Sequence, residues 1–315
     1  CCGVTGVQTC ALPISDTFST AKSLVVDELP VFNDWKLVEK DGKVVIETAS
    51  LRAFADLKTG EVEFKDLDGN TILQENKGGG KTFIPVEIEG TKGYNIRQVF
   101  ESPNDEAFYG LGQHQADEFN YKGKNEILFQ YNTKVSIPVI VSNKNYGIFW
   151  DNYSVTKFGD PRDYAQLSDL KLFDKDGNEG GLTATYMVNG DANNVFVSRI
   201  ENTIDYENLT TVKKFPADFP FYNSKITWEG EIQSDDSGVH RFLLYYAGYT
   251  KIWIDGQLMA EKWRTAWNPS VAKFGVSMEA GKKYHIKLEW LPDGGVSYIG
   301  LKFLSPVDPS EQNKL

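Results

Sequence analysis

Two tryptophans with polar neighbours form the clearest candidate for ligand binding in this sequence. The stretch EKWRTAWNPS, residues 261–270, holds Trp263, Arg264, Trp267 and Asn268. Indole rings stack on flat apolar ligand surfaces such as sugar-ring faces, while Arg and Asn supply hydrogen bonds to hydroxyl groups. The pattern predicts a loop that serves as a sugar platform. The open alternative is that both indoles pack against the core of their own domain.

Adjacent carboxylates at Asp117 and Glu118 are candidates for acid–base chemistry. Hydrolysis by double displacement uses two carboxyl groups about 5–5.5 Å apart, one as nucleophile and one as acid and base. Neighbouring residues on a strand point to opposite faces, so we predict that this pair is not catalytic. His114, which lies close by in the sequence, is expected at the rim of an active site, on the surface or at a domain interface.

The sequence Gly110-Leu111-Gly112 resembles part of a phosphate-binding motif. No helical pattern follows it, so it does not have the context that such a motif needs. Two glycines at this spacing predict instead a bend at which neighbouring backbones approach closely.

The composition narrows the classes of partner. The 315 residues suffice for about two domains. With 44 acidic against 33 basic residues, the net charge of −11 disfavours nucleic acid and anionic membranes and favours a neutral ligand. The 7 Trp, 15 Tyr and 19 Phe suit both β-sandwich cores and the faces of sugar rings.

The first fifteen residues, CCGVTGVQTCALPIS, are set apart from the fold. They contain all three cysteines of the chain and no charged residue. A polar Gln-Thr pair interrupts the apolar run, so the segment does not have the pattern of a secretory signal. Residues 4–14 resemble the translated read of a sequencing-library adapter, and we interpret residues 1–15 as that artefact.

From Asp27 onward, apolar and polar residues alternate, and turn signals recur about every ten residues. Asp-Gly turns join predicted strands in KLVEKDGKVVIE (36–47) and KIWIDGQLMA (251–260). Residues 194–204 are the candidate for one short helix. The sequence therefore predicts an all-β fold built from sandwiches.

A change of pattern near Ile200 predicts a domain boundary. Residues 207–224 carry two prolines and little alternation, and six predicted strands follow them. We therefore predict a first β-sandwich domain at 16–205 and a second compact β-sandwich at 206–308, inserted in the first or appended to it. Residues 309–315 are interpreted as a truncated linker.

Residues 107–160 resemble the N-terminal β-sandwich of glycoside hydrolase family 31, the α-glucosidase and α-xylosidase family. The resemblance is carried by FYGLGQ (108–113) and SIPVIVSNKNYGIFWDN (136–152), together with their spacing. It implies a galactose-mutarotase-like sandwich that packs on a catalytic β/α barrel and contributes one loop to it. That loop matches residues 129–133 here.

The resemblance implies substrate contacts within this loop. Gln130 and Asn132 would hydrogen-bond sugar hydroxyls, and Phe129 or Tyr131 would stack on a ring face. In the open alternative, Gln130 and Asn132 cap a turn while the aromatic rings fill the sandwich. The catalytic aspartates of the family lie on the barrel, and no such motif occurs in this sequence, so no catalytic residue is predicted here.

Residues 226–259, 262–270 and 289–306 resemble a protective-antigen-fourteen domain, a β-module that is common as a sugar-binding appendage. Some relatives hold Ca²⁺ with consecutive aspartates, and Asp235 and Asp236 form such a pair. The surrounding SDDSG is also typical of a β-turn, which we favour. We therefore predict no metal site and no organic cofactor.

Together the two resemblances imply the non-catalytic N-terminal part of a retaining family 31 α-glycosidase, an α-xylosidase that acts on xyloglucan oligosaccharides. The expected partners are an oligosaccharide or polysaccharide and a catalytic barrel outside this chain, with no nucleic acid and no membrane. Polysaccharide-degrading relatives imply a periplasmic or secreted location. The alternative is a free-standing carbohydrate-binding or spacer β-sandwich protein without a catalytic partner domain.

Overall fold

The structure is a computed structural model that describes residues 22–23, 26, 33–114, 118–130, 132, 134–152, 154–206, 215–221, 223–292, 298–308, 311 and 314–315. Strands joined by turns dominate these residues, with short 3-10 helices at Leu167–Asp169 and Val188–Gly190. The predicted all-β fold is confirmed. Among the described residues, no helix is long and apolar enough to cross a membrane. The artefact proposed for residues 1–15 falls outside the described residues and stays a prediction.

The chain divides into two compact units. Unit 1 takes in the described residues of Cys1–His114, Phe119–Asp160 and Pro309–Leu315, and unit 2 takes in those of Gln115–Glu118 and Pro161–Asp308. The chain therefore leaves unit 1 after Asp160 and returns to it near the end of the sequence. Unit 2 is accordingly an insertion in unit 1.

The domain boundary in the structure differs from the predicted one at 205/206. Strands between residues 161 and 206 pair with later strands of unit 2, since Thr183 lies opposite Glu229 and Ile204 lies opposite Leu301. The alternation of apolar and polar residues is the same on both sides of the boundary, so the pattern does not reveal which sheet a strand joins. Segment 309–315 also differs from a linker, because Leu315 exchanges two backbone hydrogen bonds of 2.9 Å with Phe100 of unit 1.

Unit 1 consists of short antiparallel strands. They are β1 Trp35–Lys40, β2 Lys43–Thr48, β3 Arg52–Asp56, β4 Val62–Lys65, β5 Thr71–Gln74, β6 Lys81–Ile88, β7 Thr91–Gln98, β8 Phe108–Gln113, β9 Glu126–Leu128, β10 Val135–Ser142, β11 Gly147–Phe149 and β12 Thr156–Phe158. Strands β1 to β5 form a meander, β6 pairs with β7, β9 pairs with β12, and a three-stranded sheet has the order β11-β10-β8.

The two glycines of β8 fit the predicted close approach of backbones. A Cβ atom would lie 2.4 Å from the Val139 carbonyl oxygen at Gly110 and 2.0 Å from the Val135 carbonyl oxygen at Gly112. Both glycines also have positive φ, of 128° and 96°. Gly112 pairs with Ser136 and Gly110 with Ile140, the two positions of β10 between which the pairing register shifts.

Unit 2 contains longer strands. They are β13 Ala165–Gln166, β14 Lys171–Phe173, β15 Leu182–Met187, β16 Val195–Glu201, β17 Ile204–Tyr206, β18 Lys225–Gln233, β19 Gly238–Tyr246, β20 Gly248–Ile254, β21 Gln257–Arg264, β22 Ser270–Met278, β23 Lys283–Leu291 and β24 Ile299–Leu304. One sheet runs β13-β24-β19-β22, with β17 also on β24. The other runs β16-β15-β18-β23-β20-β21, with β14 also on β18.

The residues that face inward from the strands of unit 2 form one apolar core. Burial alternates strictly along β18 and β20, whereas β24 is buried at nearly every position. Trp228 and Trp290 are fully buried there, as predicted. Trp253 is only half-buried, so its predicted core position is wrong. Its neighbours Ile252 and Ile254 face the core, and the strand period of two leaves Trp253 on the outer face of the sheet.

The short helix predicted at 194–204 is wrong, because these residues form β16 and most of the turn into β17. Pairing with β15 takes precedence over a helical pattern that holds for few turns. The Asp-Gly hairpin predicted in KIWIDGQLMA is confirmed. Asp255 and Gly256 have φ values of 47° and 77° between β20 and β21, as a two-residue turn of the primed type requires.

A buried carboxylate organises one end of the unit 2 core. Glu201 accepts hydrogen bonds at one oxygen from the Tyr186 hydroxyl (2.6 Å) and Arg199 Nε (2.5 Å). Its other oxygen accepts from the Tyr206 hydroxyl (3.0 Å) and Trp228 Nε1 (2.7 Å). Four donors meet one buried charge, so the network fixes the ends of β15, β16, β17 and β18 relative to one another.

These tyrosines make unit 2 sensitive to high pH. Burial, and then the charge of Glu201, raises the pKa of Tyr206 to about 12 and raises that of Tyr186 further above its usual value. The unfolded chain loses these protons near pH 10. The stability that the two protonated tyrosines contribute is therefore present below about pH 10 and is lost as the pH rises toward about 12.

We expect the Tm of unit 2 to fall by about 5 °C or more between about pH 8 and about pH 11. Thermal unfolding followed by circular dichroism measures this fall. In Tyr206→Phe, which keeps the ring and removes the titrating hydroxyl, the fall should be smaller. An equal fall in both proteins would contradict the assignment.

Candidate functional site

The segment between β9 and β10 connects two sheets of unit 1. Strand β9 pairs with β12, and β10 pairs with β8 and β11. Phe129 directly follows β9, and its side chain is 52% exposed. It therefore has ring surface available to a ligand. Tyr131 lies outside the described residues, so its predicted role stays a prediction.

The two predicted polar contacts of this segment differ in their surroundings. The Gln130 side-chain oxygen accepts a 3.0 Å hydrogen bond from the backbone N–H of Ser136, so this amide closes the turn into β10. Asn132 is exposed and has a φ of 36°, in the left-handed region that Asn tolerates better than most residues. For Gln130 the geometry is that of a turn cap, while Asn132 leaves its amide on the surface.

A buried ion pair joins the two ends of this segment. Glu126 of β9 is 6% exposed, and its Oε1 lies 3.0 Å from Nζ of Lys134, the residue before β10. This pair was not predicted from the sequence, although the alternation of Glu126, Ile127 and Leu128 places Glu126 on the same inward face as Leu128.

His114 is buried rather than exposed. Its side chain is 1% exposed, Nε2 lies 2.7 Å from the Leu111 carbonyl oxygen, and Nδ1 lies 3.5 Å from Glu126 Oε1. The expectation of an exposed position at a rim or on the surface is therefore wrong, because the protein encloses the imidazole. The expectation of a domain-interface position stays a prediction. Asp117 lies outside the described residues, so the rejection of the Asp117 and Glu118 pair stays a prediction.

An open apolar groove of about 440 Å³ runs along β8 and β10 beside this segment. Its lining is almost entirely aliphatic, and Val135, Ile137 and Val141 are exposed. The lining residues are Gly110, Leu111, Gly112, Gln113, Val135, Ile137, Val139 and Val141. Such a face can take up the apolar surface of another protein domain, but it offers few groups for polar chemistry.

Both candidate indoles of unit 2 are exposed, Trp263 by 58% and Trp267 by 76%. The alternative in which they pack in the core is therefore wrong. Trp263 and Arg264 lie on β21, however, and not in a loop as predicted. Trp263 faces Tyr249 on the neighbouring strand, so the indole stands on the outer face of a rigid sheet. Arg264 is half-buried at the end of the strand.

Lys251 and Glu261 form an ion pair on the same face of the sheet as Trp263. The Tyr249 hydroxyl donates to the Glu261 carboxylate, and Lys251 Nζ lies 3.0 Å from Glu261 Oε1. The hydrogen bonds from Tyr249 and Lys251 lower the pKa of Glu261, so it stays charged at neutral pH. Lys251 and Glu261 therefore balance each other's charge on this face, and the exposed indole adds a flat apolar surface that suits stacking.

The aspartate pair of unit 2 has partners within the protein. Asp235 Oδ1 lies 2.7 Å from Lys171 Nζ, and the Asp236 N–H donates to Ser234 Oγ at 3.1 Å. The hydrogen bond from Asp236 to the Ser234 side chain is that of an ST-turn, and residues 235–236 form a bend rather than the predicted β-turn. Within the part of the chain that the structure describes, no group of three or more His, Cys, Asp or Glu side chains is placed to hold a metal ion.

Two family models match the sequence over separate ranges. Residues 14–158 match the glycosyl hydrolase 31 N-terminal galactose mutarotase-like domain, and residues 178–302 match the PA14 domain. The first range falls on unit 1 before the insertion, apart from the few residues assigned to unit 2, and the second falls within unit 2. The recognition of both domains from the sequence is confirmed.

The crystal structure of a glycoside hydrolase family 31 α-xylosidase from Xanthomonas citri superposes on 93% of this chain, with a TM-score of 0.85 and 36% identity. An α-xylosidase from Saccharolobus solfataricus is 37% identical over 130 residues, or 37% of this chain. An uncharacterized family 31 glucosidase from Pseudescherichia vulneris is 31% identical over 87 residues, or 28% of this chain. The chain spans 32%, 17% and 16% of these three proteins, respectively.

Proposed function

Since this chain joins a glycosyl hydrolase 31 N-terminal domain to a PA14 domain, we propose that it is the non-catalytic N-terminal part of a retaining family 31 α-glycosidase. The proposed activity of the whole enzyme is that of an α-xylosidase on xyloglucan oligosaccharides. The observation that carries the proposal is the superposition of 93% of the chain on an α-xylosidase at 36% identity. Because little of the chain lies outside the superposition, the matched part takes in most of both domains.

Unit 1 has two roles in this proposal. Its aliphatic groove along β8 and β10 packs against the catalytic barrel, which removes exposed Val135, Ile137 and Val141 from water. The segment that begins at Phe129 then lies at the substrate site, where Asn132 hydrogen-bonds sugar hydroxyls and Phe129 stacks on a ring. The exposure of both residues supports these contacts.

Unit 2 supplies carbohydrate binding in this proposal. Trp263 and Trp267 present exposed indole surface, and Arg264 follows Trp263 on the same strand. The balanced charges of Lys251 and Glu261 favour a neutral saccharide over an ionic ligand. Such a platform would hold a longer substrate while the barrel cleaves its terminal sugar.

The proposal is tested by reading the gene past Leu315 and assaying the extended protein. We expect a repeated β/α pattern and release of xylose from a xyloglucan heptasaccharide. A reading frame without a barrel would instead favour a free-standing carbohydrate-binding or spacer protein. Release of glucose but not xylose from matched aryl α-glycosides would keep the family and overturn the α-xylosidase assignment.

We also propose a periplasmic or secreted location, because xyloglucan fragments are encountered outside the cytoplasm. Fractionation of cells that express the full gene tests this location. Recovery with cytoplasmic marker proteins would contradict it.

In the extended enzyme, Asn132→Ala is expected to lower kcat/KM on xyloglucan oligosaccharides about tenfold, because it removes a hydrogen bond to a sugar hydroxyl. Steady-state kinetics measure the change. Asn145→Ala is the matched control, since Asn145 is also exposed and has a φ of 66° in a turn of unit 1. Equal values for Asn132→Ala and the control would return Asn132 to a turn-forming role.

A further inference from the structure

The carboxylate of Glu126 connects three elements of unit 1. It lies on β9, its Oε1 is 3.0 Å from Lys134 Nζ ahead of β10, and the same oxygen is 3.5 Å from His114 Nδ1 just after β8. Glu126 and His114 are almost fully buried, and the Lys134 side chain is 18% exposed. The three side chains therefore meet inside unit 1, away from bulk water.

His114 contains a buried polar atom that lacks a hydrogen bond. Among the described residues, Nδ1 has no partner within hydrogen-bond geometry, while Nε2 is engaged by the Leu111 carbonyl. A buried polar atom without a hydrogen bond lowers the stability of the fold, so its retention needs an explanation. The ring is fixed by its contact with Leu111 and by edge packing on Tyr121, so it forms one wall of the site that holds the Glu126 carboxylate.

A hydrogen bond between Gln130 and Ser136 also closes the segment between β9 and β10. The Ser136 N–H donates to the Gln130 side-chain oxygen at 3.0 Å. The ion pair joins Glu126 to Lys134, and the hydrogen bond joins Gln130 to Ser136, so the two closures overlap in the sequence. Each closure removes conformations that the residues between its ends would otherwise sample.

We infer that Glu126 and Lys134 are positioning residues that hold Phe129 and Asn132 in one arrangement, with the His114 ring packed beside the carboxylate. What Phe129 and Asn132 contact rests on the proposed function, but the positioning itself does not. A buried ion pair stabilises a fold little more than well-packed apolar residues of similar volume would. Removing one partner is strongly destabilising, because the remaining charge is left buried without the other. A site that must be preorganised gains from such a strict geometric requirement.

The test compares three variants of the 315-residue chain. Lys134→Met removes the charge and keeps the stem, while Lys134→Arg keeps the charge. Lys81→Met breaks the ion pair of Lys81 with Glu75, another buried carboxylate of unit 1, and is the matched control.

Hydrogen exchange of the Ser136 amide, measured by NMR, is the direct readout. We expect the Ser136 amide to exchange about tenfold faster in Lys134→Met than in the wild type, and at nearly the wild-type rate in Lys134→Arg. In Lys81→Met, exchange at Ser136 should accelerate no more than exchange at Ile140 does. Ile140 is buried on β10 and reports global opening of unit 1. Equal acceleration at Ser136 and Ile140 in Lys134→Met would overturn the inference.

Kinetics of the extended enzyme separate this inference from the proposed function. Lys134→Met should lower kcat/KM about tenfold and Lys134→Arg should restore it, whereas Lys81→Met should stay within about twofold of the wild type. If Asn132→Ala and Lys134→Met leave kcat/KM unchanged while Lys134→Met accelerates exchange at Ser136, the positioning role is supported and the proposed substrate contact of Asn132 is contradicted. If Lys134→Met does not accelerate exchange at Ser136, the positioning role is contradicted whatever the kinetics show.

Discussion

Glu201→Gln is expected to lower the free energy of unfolding of unit 2 by about 3 kcal/mol. The Glu201 carboxylate accepts four hydrogen bonds in the core, from Tyr186, Arg199, Tyr206 and Trp228. A Gln side chain has one acceptor oxygen, and its NH₂ group faces donors that held the second carboxylate oxygen. Two donors then lose their acceptor, and the Arg199 guanidinium loses its counter-charge.

Urea unfolding followed by tryptophan fluorescence measures this loss, because the fully buried Trp228 and Trp290 report on the core of unit 2. Glu231→Gln is the matched control. Glu231 lies on the outer face of the same sheet and pairs with Lys283 at 3.0 Å, where both side chains are 38% exposed. An exposed pair of this kind contributes about 1 kcal/mol or less. If the two variants lose the same stability, the Glu201 network does not organise the core as described.

Local patterns predict the strands of this protein better than they predict its domains. The Asp-Gly turns at Asp41 and Asp255 follow from residue types alone, because only a few residues adopt the left-handed φ that these turns need. The boundary after Asp160 does not follow from such signals. It depends on the pairing of β15 with β18 and of β17 with β24, which joins residues far apart in the sequence.

The candidate site shows the same division. Exposed indoles at Trp263 and Trp267 are suggested by their polar neighbours, although the strand placement of Trp263 is visible only in the sheet. The alternation along β9 indicates an inward Glu126, but no sequence pattern indicates that His114 is buried beside it, because that contact depends on how β8 and β9 converge. Local sequence patterns therefore do not reveal side chains whose role depends on contacts with residues from other strands.

Without a barrel, the purified 315-residue chain is expected to hydrolyse no aryl α-xyloside above the buffer rate. Double displacement needs a nucleophile and an acid on opposite sides of one bond, and the sequence contains no motif of the kind that supplies them in this family. Positioning provides much of the rate enhancement of an enzyme, so surface carboxylates are poor substitutes. Turnover that survives repurification and remains proportional to protein would overturn the non-catalytic assignment.

The same chain is expected to bind a xyloglucan heptasaccharide with a Kd of about 1 mM, or about −4 kcal/mol, since one or two indoles stack on sugar rings in open solvent. Titration calorimetry measures the binding. Trp263→Ala and Trp267→Ala should each weaken it at least about threefold, and the double variant should abolish measurable heat. Trp35→Ala is the control, because Trp35 of unit 1 is also an exposed indole, at 49%. Binding that survives the double variant, or that falls equally in Trp35→Ala, would show that Trp263 and Trp267 do not form the platform.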